Sequence, residues 1–116
     1  MSREEFKART KAYALRVIKV VDALPRDTVS KTLGHQLLRS GTSVAANYRS
    51  AVRGRSSADF ISRMGIVEEE CDESLLWMEL LIEAGRIKPA RLNDLIREGG
   101  EILAITVASI KTARRG

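Results

Sequence analysis

Apolar positions along this chain recur at helical spacing in four long runs. In the first, Phe6, Tyr13, Val17, Val20 and Leu24 follow at steps of seven, four, three and four, with Thr10 in the gap. Ala14, Ile18 and Val21 widen that stripe into a core-facing surface. The spacing predicts a helix from Arg3 to about Leu24, ended by Pro25, because the residue before a proline is pushed out of the α region. In the second run Val29, Leu33, Leu37, Val44, Tyr48 and Val52 repeat, with Ser40 or Gly41 at the missing step. Asp27 or Thr28 can cap its first turn, and Gly54 is a favourable stop. Gly34 and Gly41 each cost about 1 kcal/mol relative to Ala inside a helix. Close approach of a neighbouring helix is the expected compensation.

The third run carries Phe60, Met64, Val67, Cys71, Ser74, Met78 and Leu81. Ser56 or Ser57 caps it, with Asp59 three residues after Ser56, and Ala84-Gly85 closes it. Leu75, Leu76, Leu80 and Ile82 add a second apolar edge. The fourth run starts near Pro89, acceptable in a first turn, and passes through Leu92, Leu95, Ile96, Leu103, Thr106 and Ile110. It ends in a basic tail of Lys111, Arg114 and Arg115, and Gly99-Gly100 is its weak point, a place to kink. Short links between long helices favour antiparallel neighbours. The expectation is one all-α domain over residues 1–116, an antiparallel up-down-up-down four-helix bundle.

Composition narrows the classes. A chain of 116 residues can bury a core without disulfides or metals, and 44% apolar with 30% charged residues is a globular balance. The single cysteine, Cys71, excludes an intramolecular disulfide and a Cys-rich zinc site, and its expected place is a helix's apolar face. The N-terminus is charged and periodic, unlike a signal peptide, and no window reaches the ~18 apolar residues of a membrane span. A cytoplasmic protein without membrane contact is expected.

Catalytic chemistry finds no foothold. Glu68, Glu69, Glu70, Asp72 and Glu73 crowd the third helix, but a carboxylate di-metal bundle needs Glu-x-x-His on two helices. The one histidine, His35, lies on a helix without Glu and reads as facing solvent or an interface. Gly41-Thr42-Ser43-Val44-Ala45 lacks the closing glycine of a nucleophile elbow and falls mid-helix. Acidic neighbours disfavour a Cys71 thiolate. No catalytic residue, metal or cofactor is expected.

The informative signal is charge segregation. The net charge is +5, and from Thr28 through Ala58 there is no acidic residue while Lys31, Arg39, Arg49, Arg53 and Arg55 supply five positive charges. The remainder of the chain is therefore neutral. Arg49 and Arg53 are four apart on one face, a spacing that can follow phosphates. Two readings compete: Arg39, Arg49, Arg53 and Arg55 meet a nucleic-acid backbone, or they pair with Glu68, Glu69 or Glu73 within the chain or across subunits. Only Tyr48 is at hand as a stacking platform, so spacing and charge alone tilt slightly toward pairing. Leu75 to Ile82 is apolar most of the way round, with Trp77 a residue type that anchors interfaces. It is either a well-buried helix or a subunit contact flanked by Glu69 and Glu73.

Several local patterns combine between Leu37 and Leu81: Arg39-Ser40, Thr42-Ser43-Val44 followed by Ala46-Asn47, Arg53 or Arg55 with Ser56, Asp59-Phe60, and Glu69 and Glu73 leading to Trp77. This segment resembles the four-helix-bundle family named for proteins encoded in intervening sequences of 23S rRNA genes. The match is close over the second and third helices and follows the layout elsewhere. Where many members read Asn-Ile-Ala-Glu-Gly, this chain reads Asn47-Tyr48-Arg49-Ser50-Ala51, as in a sub-branch without that acid. Relatives include the accessory protein of diversity-generating retroelements, a basic homopentameric barrel that binds nucleic acid and a reverse transcriptase. The resemblance therefore implies a homopentamer, contact with RNA or DNA, and a reverse transcriptase or other nucleic-acid enzyme as partner. It supplies no catalytic residue. It also tips the balance that charge alone left toward pairing, so nucleic-acid binding becomes the first expectation and a structural interaction module the second.

Overall fold

A computed structural model describes all residues from Met1 to Gly116 and contains four helices: α1 (Arg3–Asp22), α2 (Thr28–Val52), α3 (Ser57–Glu83) and α4 (Pro89–Arg115). Each helix packs against the next in chain order, and α4 returns to α1. The result is the expected up-down-up-down bundle, 47 × 21 × 20 Å. No helix is long and apolar enough to cross a membrane.

Local chemistry sets the helix ends. The Ser2 hydroxyl accepts from the Glu5 N–H while Glu5 reaches back to the Ser2 N–H, a full capping box. Asp27 caps α2 by accepting from the Ser30 N–H at 3.0 Å, and Ser56 caps α3 by accepting from the Asp59 N–H at 3.1 Å. Pro89 occupies the first turn of α4. The glycine pair Gly99-Gly100 does not break α4, which is continuous through it.

The core follows the stripes in most places. Tyr13, Val17, Leu37, Val44, Met64, Val67, Cys71, Met78, Leu81, Leu92 and Ile102 are fully buried. Ile102 stands one residue before Leu103, which only half-buries, so the fourth stripe is rotated slightly from its expected centre. Two expected core positions are corrected: Ile18 and Val29 are exposed, at 37% and 40%. Their neighbours Val17 and Ser30 are fully buried at the same level of the bundle, so Ile18 and Val29 are exposed because they face outward, off the buried stripe. At the missing step of α2, both Ser40 and Gly41 are buried. A Cβ on Gly41 would sit 2.8 Å from both Val17 methyl groups, so the expected compensation for a mid-helix glycine is close packing of α1 on α2.

Tyr13 and Ser74 satisfy each other inside this core. The Tyr13 hydroxyl and Ser74 Oγ lie 2.8 Å apart, and Ser74 Oγ donates to the Cys71 carbonyl. Burial raises the Tyr13 pKa well above its ordinary value, so the phenol stays neutral. Along the α1–α4 seam, Arg9 holds Glu98 through two bonds of 2.7 Å and Glu101 at 2.6 Å, and Arg16 holds Asp94 at 2.6 Å.

Candidate anion-binding site

Alternating helix directions gather segments that are distant in sequence. The start of α1, the end of α2, the start of α3 and the end of α4 share one end of the bundle. A cleft of about 460 Å³ records this, because its walls come from Met1, Arg3, Tyr48, Phe60, Ile105 and Thr112. Residues 1–7, 49–63 and 111–116 hold nine of the twenty lysines and arginines but only Glu4, Glu5 and Asp59 of the fifteen carboxylates. The rest of the molecule carries eleven cations against twelve carboxylates. One end therefore carries all of the excess positive charge.

At its centre is the turn between α2 and α3. Ser50, Arg53, Arg55, Asp59 and Arg63 line a concavity of about 430 Å³ with no apolar residue in its wall. Arg63 Nε lies 3.4 Å from Asp59, one turn earlier on α3. Arg49, Arg53 and Arg55 have no carboxylate within ion-pair distance. Gly54 fixes the turn between the two free arginines. A Cβ there would meet Asp59 Oδ2 at 2.9 Å, the Ala51 carbonyl at 3.0 Å and the Phe60 N at 3.3 Å. Above the neighbouring cleft the Arg3 guanidinium stands 4.7 Å over the Phe60 ring.

Arg39 stands apart from this group. It donates to Glu70 at 2.8 Å and to Glu73 at 2.9 Å, both on α3 of the same chain. Glu70 is 9% exposed, so this pair neutralises a nearly buried carboxylate. Of the four arginines singled out by sequence, one is an intrachain clamp and three converge on the basic end. Sequence reasoning passed over Arg63, whose spacing from Asp59 reads as an ordinary one-turn ion pair, and it treated the α4 tail as separate from the α2 arginines. The signal for both was the antiparallel order, which places α3's start and α4's end beside α2's end.

The other expected residues fall on the flank of α3. Ile66, Glu69, Glu73, Leu76 and Leu80 recur on one outward face, with Ile66, Leu76 and Leu80 exposed at 41%, 45% and 36%. The segment is therefore not wholly covered within one chain. Trp77 is half-buried against the core, and its buried indole N–H has no acceptor. No cluster of three or more His, Cys, Asp or Glu side chains has the arrangement to hold a metal ion. His35 is exposed, and burial together with Asp72 pushes the Cys71 thiol up to about 12. Cys71 Sγ lies 3.3 Å from the Gly99 carbonyl and has no role at the surface.

Comparison with known proteins places this geometry in a lineage. Among curated proteins there is no match. A crystal structure of a protein of unknown function from the S23 ribosomal protein family, from Bacteroides thetaiotaomicron VPI-5482, superposes with a TM-score of 0.89 at 31% identity, covering 96% of this chain and 99% of that one. Neither that structure nor the matching family description indicates a catalytic activity. Residues 4–108 match the family model described as 23S rRNA-intervening sequence protein, spanning all of α2 and α3 and most of α1 and α4, and the chain belongs to that family.

Proposed function

We propose that this protein is a non-enzymatic nucleic-acid-binding module that presents its basic end to the backbone of RNA or DNA, by itself or as accessory to a nucleic-acid enzyme such as a reverse transcriptase. The observation carrying this reading is the imbalance of nine cations to three carboxylates at one end of the bundle. Concentrated unpaired charge repels itself and is relieved by a polyanion, whose binding releases condensed counterions. Filter binding at rising salt tests it. Affinity should fall linearly in log[salt], and Arg49→Ala/Arg53→Ala should weaken binding and flatten the slope by roughly 0.9 for each phosphate no longer neutralised. Absence of binding at low salt overturns it.

A second reading rests on the exposed Ile66, Leu76 and Leu80 with Glu69 between them. A row of apolar side chains on one helix face is a surface for self-association, and the family resemblance makes a homopentamer the first choice. In this reading Arg49, Arg53 and Arg55 pair with carboxylates of a neighbouring subunit. Charge reversal at those arginines would then change the assembly state rather than nucleic-acid affinity. Light scattering with absorbance at 260 nm gives the subunit number and detects co-purifying nucleic acid in one measurement.

A further inference from the structure

The concavity at the α2–α3 turn has a narrower chemistry than a basic surface, and we infer that it is a pocket for a phosphate monoester, such as the phosphorylated 5′ end of a nucleic-acid strand. The inference deepens the nucleic-acid reading and rests on it for the choice of polymer. Arg53, Arg55 and Arg63 enter one concavity with Ser50, and Asp59 is the only acid in the wall. Three guanidinium groups against one carboxylate leave two positive charges. That matches a terminal phosphate, which carries close to two negative charges at neutral pH, better than an internal phosphodiester with one.

Geometry supports a single compact anion. A strand followed along its backbone needs cations spread over successive phosphates, whereas these three arginines line one open concavity. Guanidinium groups bind phosphate oxygens in a planar fork, and with three of them one phosphate can be held from several sides. Gly54 allows the tight turn that sets Arg53 and Arg55 at this wall, since a Cβ there would crowd the Asp59 carboxylate and the Ala51 carbonyl.

Anisotropy titration of the full chain with two single-stranded RNAs tests the pocket, the two being identical except for a 5′-phosphate or a 5′-hydroxyl. The phosphorylated strand should bind about tenfold more tightly, the value of one set of charge-assisted hydrogen bonds. Arg53→Ala/Arg55→Ala should bring the ratio to about one, and Arg53→Lys/Arg55→Lys should not restore it fully, because lysine lacks the fork. Arg114→Ala/Arg115→Ala removes the same charge from the same end outside the pocket. It should weaken both strands alike and leave the ratio intact. Below about pH 6, where a phosphate monoester takes up its second proton, the preference should shrink.

Equal binding of the two strands overturns the pocket and leaves nucleic-acid binding standing. Binding of inorganic phosphate by calorimetry, lost in Arg53→Ala/Arg55→Ala but without RNA binding, supports the pocket and overturns the nucleic-acid reading. Binding of neither RNA nor phosphate overturns both.

Discussion

Fourteen arginines divide evenly between the basic end of the bundle and the rest of the molecule, seven to each. Along the shaft and at the opposite end, Arg9, Arg16, Arg39, Arg86 and Arg97 hold carboxylates, and only Arg26 and Arg91 do not. At the basic end only Arg63 has such a partner, and Arg3, Arg49, Arg53, Arg55, Arg114 and Arg115 have none. Exposed ion pairs contribute little stability each, so this contrast is not mainly one of folding energy. It is a difference in available charge. Paired arginines close seams between helices, whereas unpaired ones keep a field directed outward for an anion to meet.

The sharpest break in the comparison comes from two adjacent residues of the shaft. A Cβ on Gly99 would meet Leu75 Cδ2 and the Tyr13 hydroxyl at 2.8 Å, while one on Gly100 meets nothing within 4 Å. Gly99→Leu should cost about 3 kcal/mol through overpacking, and Gly100→Ala should stabilise by about 0.5–1 kcal/mol through helix propensity. Urea denaturation measures both, and equal effects would mean that α4 does not approach α1 and α3 this closely.

Tyr13→Phe removes the hydroxyl facing Ser74 and should cost about 1 kcal/mol in the same assay, with no change in anion binding. Arg39→Ala should lower the urea midpoint, because Glu70 then loses its cation, and Glu70→Gln should recover part of the loss. Arg53→Ala, at the basic end, should leave the midpoint unchanged while weakening anion binding. A midpoint drop at Arg53 as large as at Arg39 would erase the distinction between the two sets.

Acid should act along the shaft and at both ends, since the capping-box hydrogen bonds of Ser2 also hold Glu5 low at the basic end. Hydrogen bonds from the Ser30 backbone and hydroxyl, then from Arg86, hold Asp27 below the usual carboxylate range, and Arg9 does the same for Glu98. A carboxylate with a depressed native pKa stabilises the fold above its unfolded value and loses that contribution as pH falls toward the native one. Stability should therefore decline below about pH 4.5, and Asp27→Asn should flatten the decline. The smallest effect concerns Cys71, which should resist alkylation at neutral pH until the chain unfolds, since burial keeps its thiol protonated.

The fold was legible because its signals are local. Pro25, Asp27, Ser56 and Pro89 punctuate four apolar stripes; Asp27, Ser56 and Pro89 mark the observed helix starts, while α1 ends at Asp22, three residues before Pro25. Positions at the edge of a stripe were less secure: Ile18 and Val29 carry the right period but face outward, while the adjacent Val17 and Ser30 take the buried places. The candidate site was legible only in part. Arg49, Arg53 and Arg55 stand out as an acid-free run, yet Arg39 belongs to the same run and is clamped by Glu70 and Glu73. Nothing in the spacing of Arg39 distinguishes it from its neighbours, because the carboxylates it meets lie more than thirty residues away.

The sequence by itself determined the number of helices, their order and their apolar faces, since period, caps and proline act within a few residues. It also determined that positive charge is in excess. Only the tertiary structure decided where that charge is available, because antiparallel packing brings the start of α1, the turn between α2 and α3 and the tail of α4 to one end. The same packing neutralises arginines elsewhere by setting carboxylates of a facing helix within 3 Å of them. Electrostatic character depends on distance in space, and that distance is fixed only when the helices meet.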